Sequence, residues 1–172
     1  MSSSKLIRLG GLATMVGGVL FLAVPFGVVV ALLLMPVGMV GFHALQRQSY
    51  GRMGLAGLWL VVATSLVMAW GVAAYFIWGD FLQAAPPVWL GLGLVGLLVG
   101  LALYGVATLQ ARVLPRWCGI AFIAALPVAV ALSGPLPFGF AFVVFGLVWL
   151  ALGYTLWTRR GAPAEQQPRR VR

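Results

Sequence analysis

Four long stretches of this sequence carry no Asp, Glu, Lys or Arg: Leu9–Gln46, Met53–Gly79, Phe81–Ala111 and Trp117–Thr158. A soluble domain is about 25% charged, and segments of this length without charge cannot coat a globule in water. The chain as a whole, 172 residues, is 63% apolar and 8% charged. That composition excludes a soluble globular domain and a disordered chain. One cysteine, Cys118, excludes an internal disulfide and a CxxC pair. A hydrocarbon core of about 30 Å takes roughly 20 helical residues. The second and third stretches therefore hold one span each, and the first and fourth are too long for one helix.

Proline and glycine divide the long stretches. Val24-Pro25-Phe26-Gly27 can make a tight turn, and Ser133-Gly134-Pro135-Leu136-Pro137 cannot continue a helix. The expected architecture is an all-α polytopic membrane bundle of six transmembrane helices, arranged as three hairpins. The spans fall near 6–24, 26–46, 54–78, 88–110, 117–133 and 138–158, in a single domain over 1–158, with Pro36 and Pro127 kinking the second and fifth. The alternative is five spans, with Pro25 kinking one long first helix.

Charge placement discriminates between the two. The chain has eleven Lys and Arg against two acids, for a net charge of +9. With six spans and the N-terminus inside, Lys5, Arg8, Arg47, Arg52, Arg112, Arg116, Arg159, Arg160, Arg169, Arg170 and Arg172 all fall on the cytoplasmic side, as the positive-inside rule requires. Asp80 is then the only charged side chain outside. Five spans would strand Lys5 and Arg8 opposite the rest. The expectation is therefore both termini cytoplasmic, with the first span serving as an uncleaved signal anchor. Residues 159–172 are too polar and proline-broken to fold alone, and form a disordered basic cytoplasmic tail. Arg47, Arg52, Arg112, Arg116, Arg159 and Arg160 are the candidate contacts for anionic lipid headgroups, at roughly 1 kcal/mol per cation near the surface. The charge needs no nucleic-acid partner.

The interior carries little chemistry. No expected span has an ionisable residue at its middle, whereas pumps and coupled transporters usually keep such groups at depth. No Ser/His/Asp set, carboxylate pair or acidic cluster for a metal is present. The expectation is no enzyme: no catalytic, cofactor-binding or metal-binding residue. His43, the single histidine, reads as an interfacial polar residue, Asp80 as a solvated loop residue and Cys118 as a small buried thiol. Thr64, Ser65 and Tyr104, with Thr108, Tyr154 and Thr155, are the hydroxyls that a polar path would use. Hydroxyls bonded to their own helix are the commoner outcome.

Lipid gives helices no hydrophobic reason to associate, so small residues must let backbones approach. Gly96 and Gly100 form a GxxxG, with Gly91 and Gly93 above them. Ala121, Ala125, Ala129 and Ser133 recur every fourth residue; Gly10, Ala13, Gly17 and Gly18 lie along the first helix. These faces serve packing within the bundle, a homo-oligomer or another membrane protein.

A partial repeat accompanies them. Gly41, Leu45, Gln46 and Arg52 recur as Gly105, Leu109, Gln110 and Arg116, each 64 positions on (105 − 41). Arg8-Leu9-Gly10-Gly11-Leu12-Ala13 echoes Arg116-Trp117-Cys118-Gly119-Ile120-Ala121. Two segments, Leu6–Leu20 (LIRLGGLATMVGGVL) and Leu109–Ile120 (LQARVLPRWCGI), resemble stretches of small uncharacterised multi-pass membrane proteins of high-GC bacteria. The resemblance implies a bacterial cytoplasmic membrane protein and no particular activity. The expected function is an accessory or scaffold subunit without catalytic chemistry, working through helix packing and anionic-lipid contact. The alternative is a small permease or exporter for a neutral or lipophilic solute.

Overall fold

In a computed structural model the described residues are 3–22, 27–47, 49, 51–78, 88–132 and 139–158. They form six α-helices: α1 (Ser3–Leu22), α2 (Gly27–Gln46), α3 (Gly51–Trp78), α4 (Val88–Ala111), α5 (Arg116–Leu132) and α6 (Gly139–Thr158). Four are long and apolar enough to cross a membrane, over Lys5–Leu22, Gly27–Gln46, Gly51–Ala74 and Gly91–Ala111. Arg116–Leu132 and Phe142–Thr158 are shorter apolar helices. At about 1.5 Å per residue, α5 rises only about 26 Å.

The helix limits differ from the expected ones by a few residues. The largest differences are at the starts of α1, expected from 6 but beginning at Ser3, and of α3, expected from 54 but beginning at Gly51, whose φ of 62° carries the chain out of the preceding turn and straight into helix. Pro36 and Pro127 lie inside α2 and α5 without ending them, a placement that neighbouring helices make tolerable. Pro25 and the Ser133–Pro137 breaker fall outside the described residues. The helices on either side of Pro25 are nonetheless separate and lie side by side. Gly10 faces Gly41, Thr14 faces Gly38 and Leu20 faces Gly27, an antiparallel hairpin and not one kinked rod.

Each helix packs on its neighbours in sequence, and α1 packs on α6, so the six close into a ring. Glycine contacts run within the α1/α2 and α3/α4 hairpins and also between hairpins. On α1, Gly10 and Gly17 face α2 while Gly11 and Gly18 face Gly153 and Gly146 of α6. A Cβ on Gly18 would lie 2.8 Å from the Gly146 carbonyl oxygen, and one on Gly57 of α3 only 2.7 Å from the Tyr104 nitrogen of α4. Gly105 meets Gly119 between α4 and α5 in the same way. Only residues without a side chain allow such approach.

Where glycine is absent, rings fill the ring's interior. Phe122 of α5 stands edge-to-face with Phe42 of α2 at 5.2 Å, Tyr104 of α4 at 5.3 Å and Trp149 of α6 at 6.1 Å between centroids. Trp149 meets Phe145, and Phe145 meets Phe21 of α1. The outward faces are apolar too: Leu12, Val16 and Val19 on α1, Leu66 on α3, and Leu92 and Val95 on α4 are exposed. Trp59 and Trp70 of α3 are 64% and 69% exposed. A bundle apolar inside and out matches a hydrocarbon solvent.

Candidate functional site

The alternation of helix directions gathers the cations at one end of the bundle. Lys5 and Arg8 lie at the start of α1, Arg47 and Arg52 flank the turn from α2 to α3, and Arg112 and Arg116 flank the turn from α4 to α5. All of these are exposed, and the described residues include neither Asp nor Glu. Any anion that neutralises this end comes from outside the described chain. The Arg8 guanidinium lies 5.9 Å from the Trp157 ring of α6, a cation–π contact that joins the first helix to the last. Arg112 takes φ 52°, a left-handed conformation that costs a side-chain-bearing residue about 1–2 kcal/mol. Arg159, Arg160 and the rest of the tail lie outside the described residues, as does Asp80.

The small residues picked out in the sequence sit on internal contacts. Gly96 lies over the Thr64 methyl and Gly100 against Val61 and the Gly57 carbonyl, both on α3. Ala125 and Ala129 are buried and Ala121 half-buried on α5. Among the described residues nothing lies within 4 Å of a Cβ on Gly91. The GxxxG face of α4 is therefore used against its own neighbour. The partners of α1 on α6, Gly146 and Gly153, escaped the sequence reading. Their spacing of seven residues, matched by Gly11 and Gly18, was the available signal.

The mid-helix hydroxyls bond to their own backbones. Thr64 donates to the Leu60 carbonyl at 2.6 Å and Ser65 to the Val62 carbonyl at 3.0 Å, each on its own helix. Tyr104 is buried among the core rings. Two shallow, mostly apolar crevices lie elsewhere, neither with room for more than about one water. One is lined by Ala121, Phe122 and Ala125 of α5 with Phe145, Val148 and Trp149 of α6; the other lies among α1, α2 and Trp149. Tyr154 is exposed, pointing away from the interior.

Near the basic end the structure brings together polar groups that the sequence left apart. Gln46 of α2 is fully buried, and its Oε1 lies 3.2 Å from the Thr108 hydroxyl of α4. Its Nε2 is buried and has no hydrogen-bond partner among the described residues. A buried polar group left so costs about 1–3 kcal/mol. The Cys118 thiol is buried, 3.9 Å from the Thr155 hydroxyl of α6. Gln46 borders Arg47 in sequence, and nothing local announces that it turns inward. Its repeat counterpart Gln110 is exposed.

His43 is half-buried on α2. No group of three or more His, Cys, Asp or Glu that could hold a metal occurs among the described residues. No protein-family model matches the chain, and neither a curated protein nor a solved structure matches it.

Proposed function

We propose that the chain is a six-span protein of the bacterial cytoplasmic membrane, with both termini in the cytoplasm, acting as a non-catalytic accessory or scaffold subunit. The observation that carries this reading is the basic end. Exposed Lys5, Arg8, Arg47, Arg52, Arg112 and Arg116 stand at one end of an apolar bundle whose described residues offer them no carboxylate. On the cytoplasmic side those cations meet anionic headgroups, which supply the missing counter-charge. In this arrangement α5 and α6 are the fifth and sixth spans. The glycine faces of α1, α3, α4 and α6 hold the bundle together, so a partner helix docks on the outer apolar faces.

A permease for a neutral or lipophilic solute would use a cavity lined by Thr64, Ser65 or Tyr104. Those side chains border neither crevice, and the scaffold reading is preferred for that reason. Extraction in mild detergent, followed by native mass spectrometry, tests it. The expected result is an oligomer or a co-purifying membrane protein with retained anionic lipid. A strict monomer that carries neither would overturn the reading. In a second arm, anionic vesicles should raise the melting temperature above that in zwitterionic vesicles. Replacing Arg47, Arg52, Arg112 and Arg116 together by Gln should remove most of that difference.

A further inference from the structure

Gln46 ends α2, and its backbone carbonyl accepts the Ser49 N–H at 2.8 Å as the chain turns toward α3. Its side chain points the other way, into the bundle, where it is 0% exposed. There it meets Thr108 of α4 at 3.2 Å, across helices that are not neighbours in the ring. A primary amide has two N–H donors and a carbonyl acceptor, whereas the threonine hydroxyl has one proton to give. That proton has two claimants, the Gln46 amide oxygen and the Tyr104 carbonyl, which is nearer at 2.9 Å. Thr14 and Thr64 give theirs to the carbonyl four residues back, at 2.7 and 2.6 Å.

If Thr108 does the same, the amide turns over, donates an N–H to the Thr108 oxygen, and is left with a buried carbonyl. If Thr108 donates to Gln46 instead, the amide is left with a buried NH₂ group. The two ends of an amide are interchangeable in this way. In both settings Thr108 satisfies one end and the other needs a partner. That partner must accept in one setting and donate in the other, and it must be small and uncharged. Water meets all of these conditions, and buried waters characteristically sit on polar groups that the protein leaves unsatisfied.

We propose that the Gln46 amide and the Thr108 hydroxyl hold one bound water between α2 and α4, near the basic end of the bundle. The water makes this contact a polar tie across the ring in a bundle closed mainly by glycine and aromatic contacts. Solid-state NMR on the full-length protein in lipid bilayers, with ¹⁵N-labelled glutamine, tests the proposal. Gln110, exposed on α4, is the freely exchanging reference. The Gln46 side-chain amide should show a cross-peak to water, while exchanging with D₂O at least tenfold more slowly than Gln110. No water cross-peak would overturn the proposal. So would exchange as fast as that of Gln110, which would mean an opening to bulk solvent. Gln46→Met should abolish the water cross-peak at Thr108, and its persistence at full intensity would also overturn the assignment. If that variant does not fold, the comparison within the unmodified protein still decides.

Discussion

Around α1 the helix backbones touch, whereas between α5 and α6 aromatic rings stand in the way. Gly10, Gly11, Gly17 and Gly18 let α1 lie against α2 on one side and α6 on the other. At the α5/α6 seam the residues are Phe122, Phe145 and Trp149, with Ala121 and Ala125 beside them, and side chains rather than backbones make the contact. Both seams are apolar, and hydrophobicity does not distinguish them. What differs is the distance at which the backbones can settle. In lipid, where association rests on van der Waals contact and not on exclusion of water, that distance decides which seam is rigid.

Adding bulk to the tight seam should have the largest effect. A Cβ on Gly10 would lie 2.5 Å from the Gly41 Cα, and neither backbone can yield. Gly10→Leu is expected to destabilise the bundle by about 3 kcal/mol or more, read as loss of the folded fraction in an SDS titration from mild detergent. Removing the ring at the centre of the aromatic seam comes next. Phe122→Ala deletes edge-to-face contacts with Phe42, Tyr104 and Trp149. At about 0.5–1.5 kcal/mol for each ring pair, it should cost roughly 2–4 kcal/mol in the same titration. If it proves neutral, the rings are filler and not the fastening of that seam.

Gly96 provides a middle case, since its obstacle is the Thr64 methyl and not a backbone. Gly96→Ala should cost about 1 kcal/mol, and Thr64→Ser on the same chain should recover most of it. Ala121→Val adds two methyls beside the crevice and is expected to change stability by less than about 1 kcal/mol. A loss as large as that at Gly10 would show that the two seams are equally tight. The smallest effect belongs to Gly91, which has nothing among the described residues within contact distance. Gly91→Ala should leave the isolated protein within about 0.5 kcal/mol of the original. If it nevertheless dissociates an oligomer on sizing, the open side of α4 is the docking face.

Much of the fold can be read along the chain because its strongest determinants are local. Uncharged length, the Pro25–Gly27 and Ser133–Pro137 breakers and the spacing of arginines limit the helices to within a few residues. Gly96 and Gly100 stood out for the same reason, being two small residues one turn apart on one helix. Gln46 did not. It shares a sequence pattern with Gln110, yet one is sealed in the bundle and the other faces outward. That outcome depends on Thr108, 62 residues away, and no local signal encodes it.

The sequence alone determines that this chain belongs in hydrocarbon. A backbone in lipid must satisfy its own hydrogen bonds, and long uncharged segments can do so only as helices. It also determines that the cations collect at one end, because every second helix boundary carries them. The tertiary structure alone decides which small residues meet. Gly10 and Gly11 are adjacent in the chain yet serve different neighbours, since successive residues on a helix point about 100° apart. It also decides that α1 closes on α6 and that the hydroxyls at Thr64 and Ser65 turn back to their own helices. Closure places Gln46 against Thr108 in the interior, a contact between two helices that the chain itself never makes consecutive.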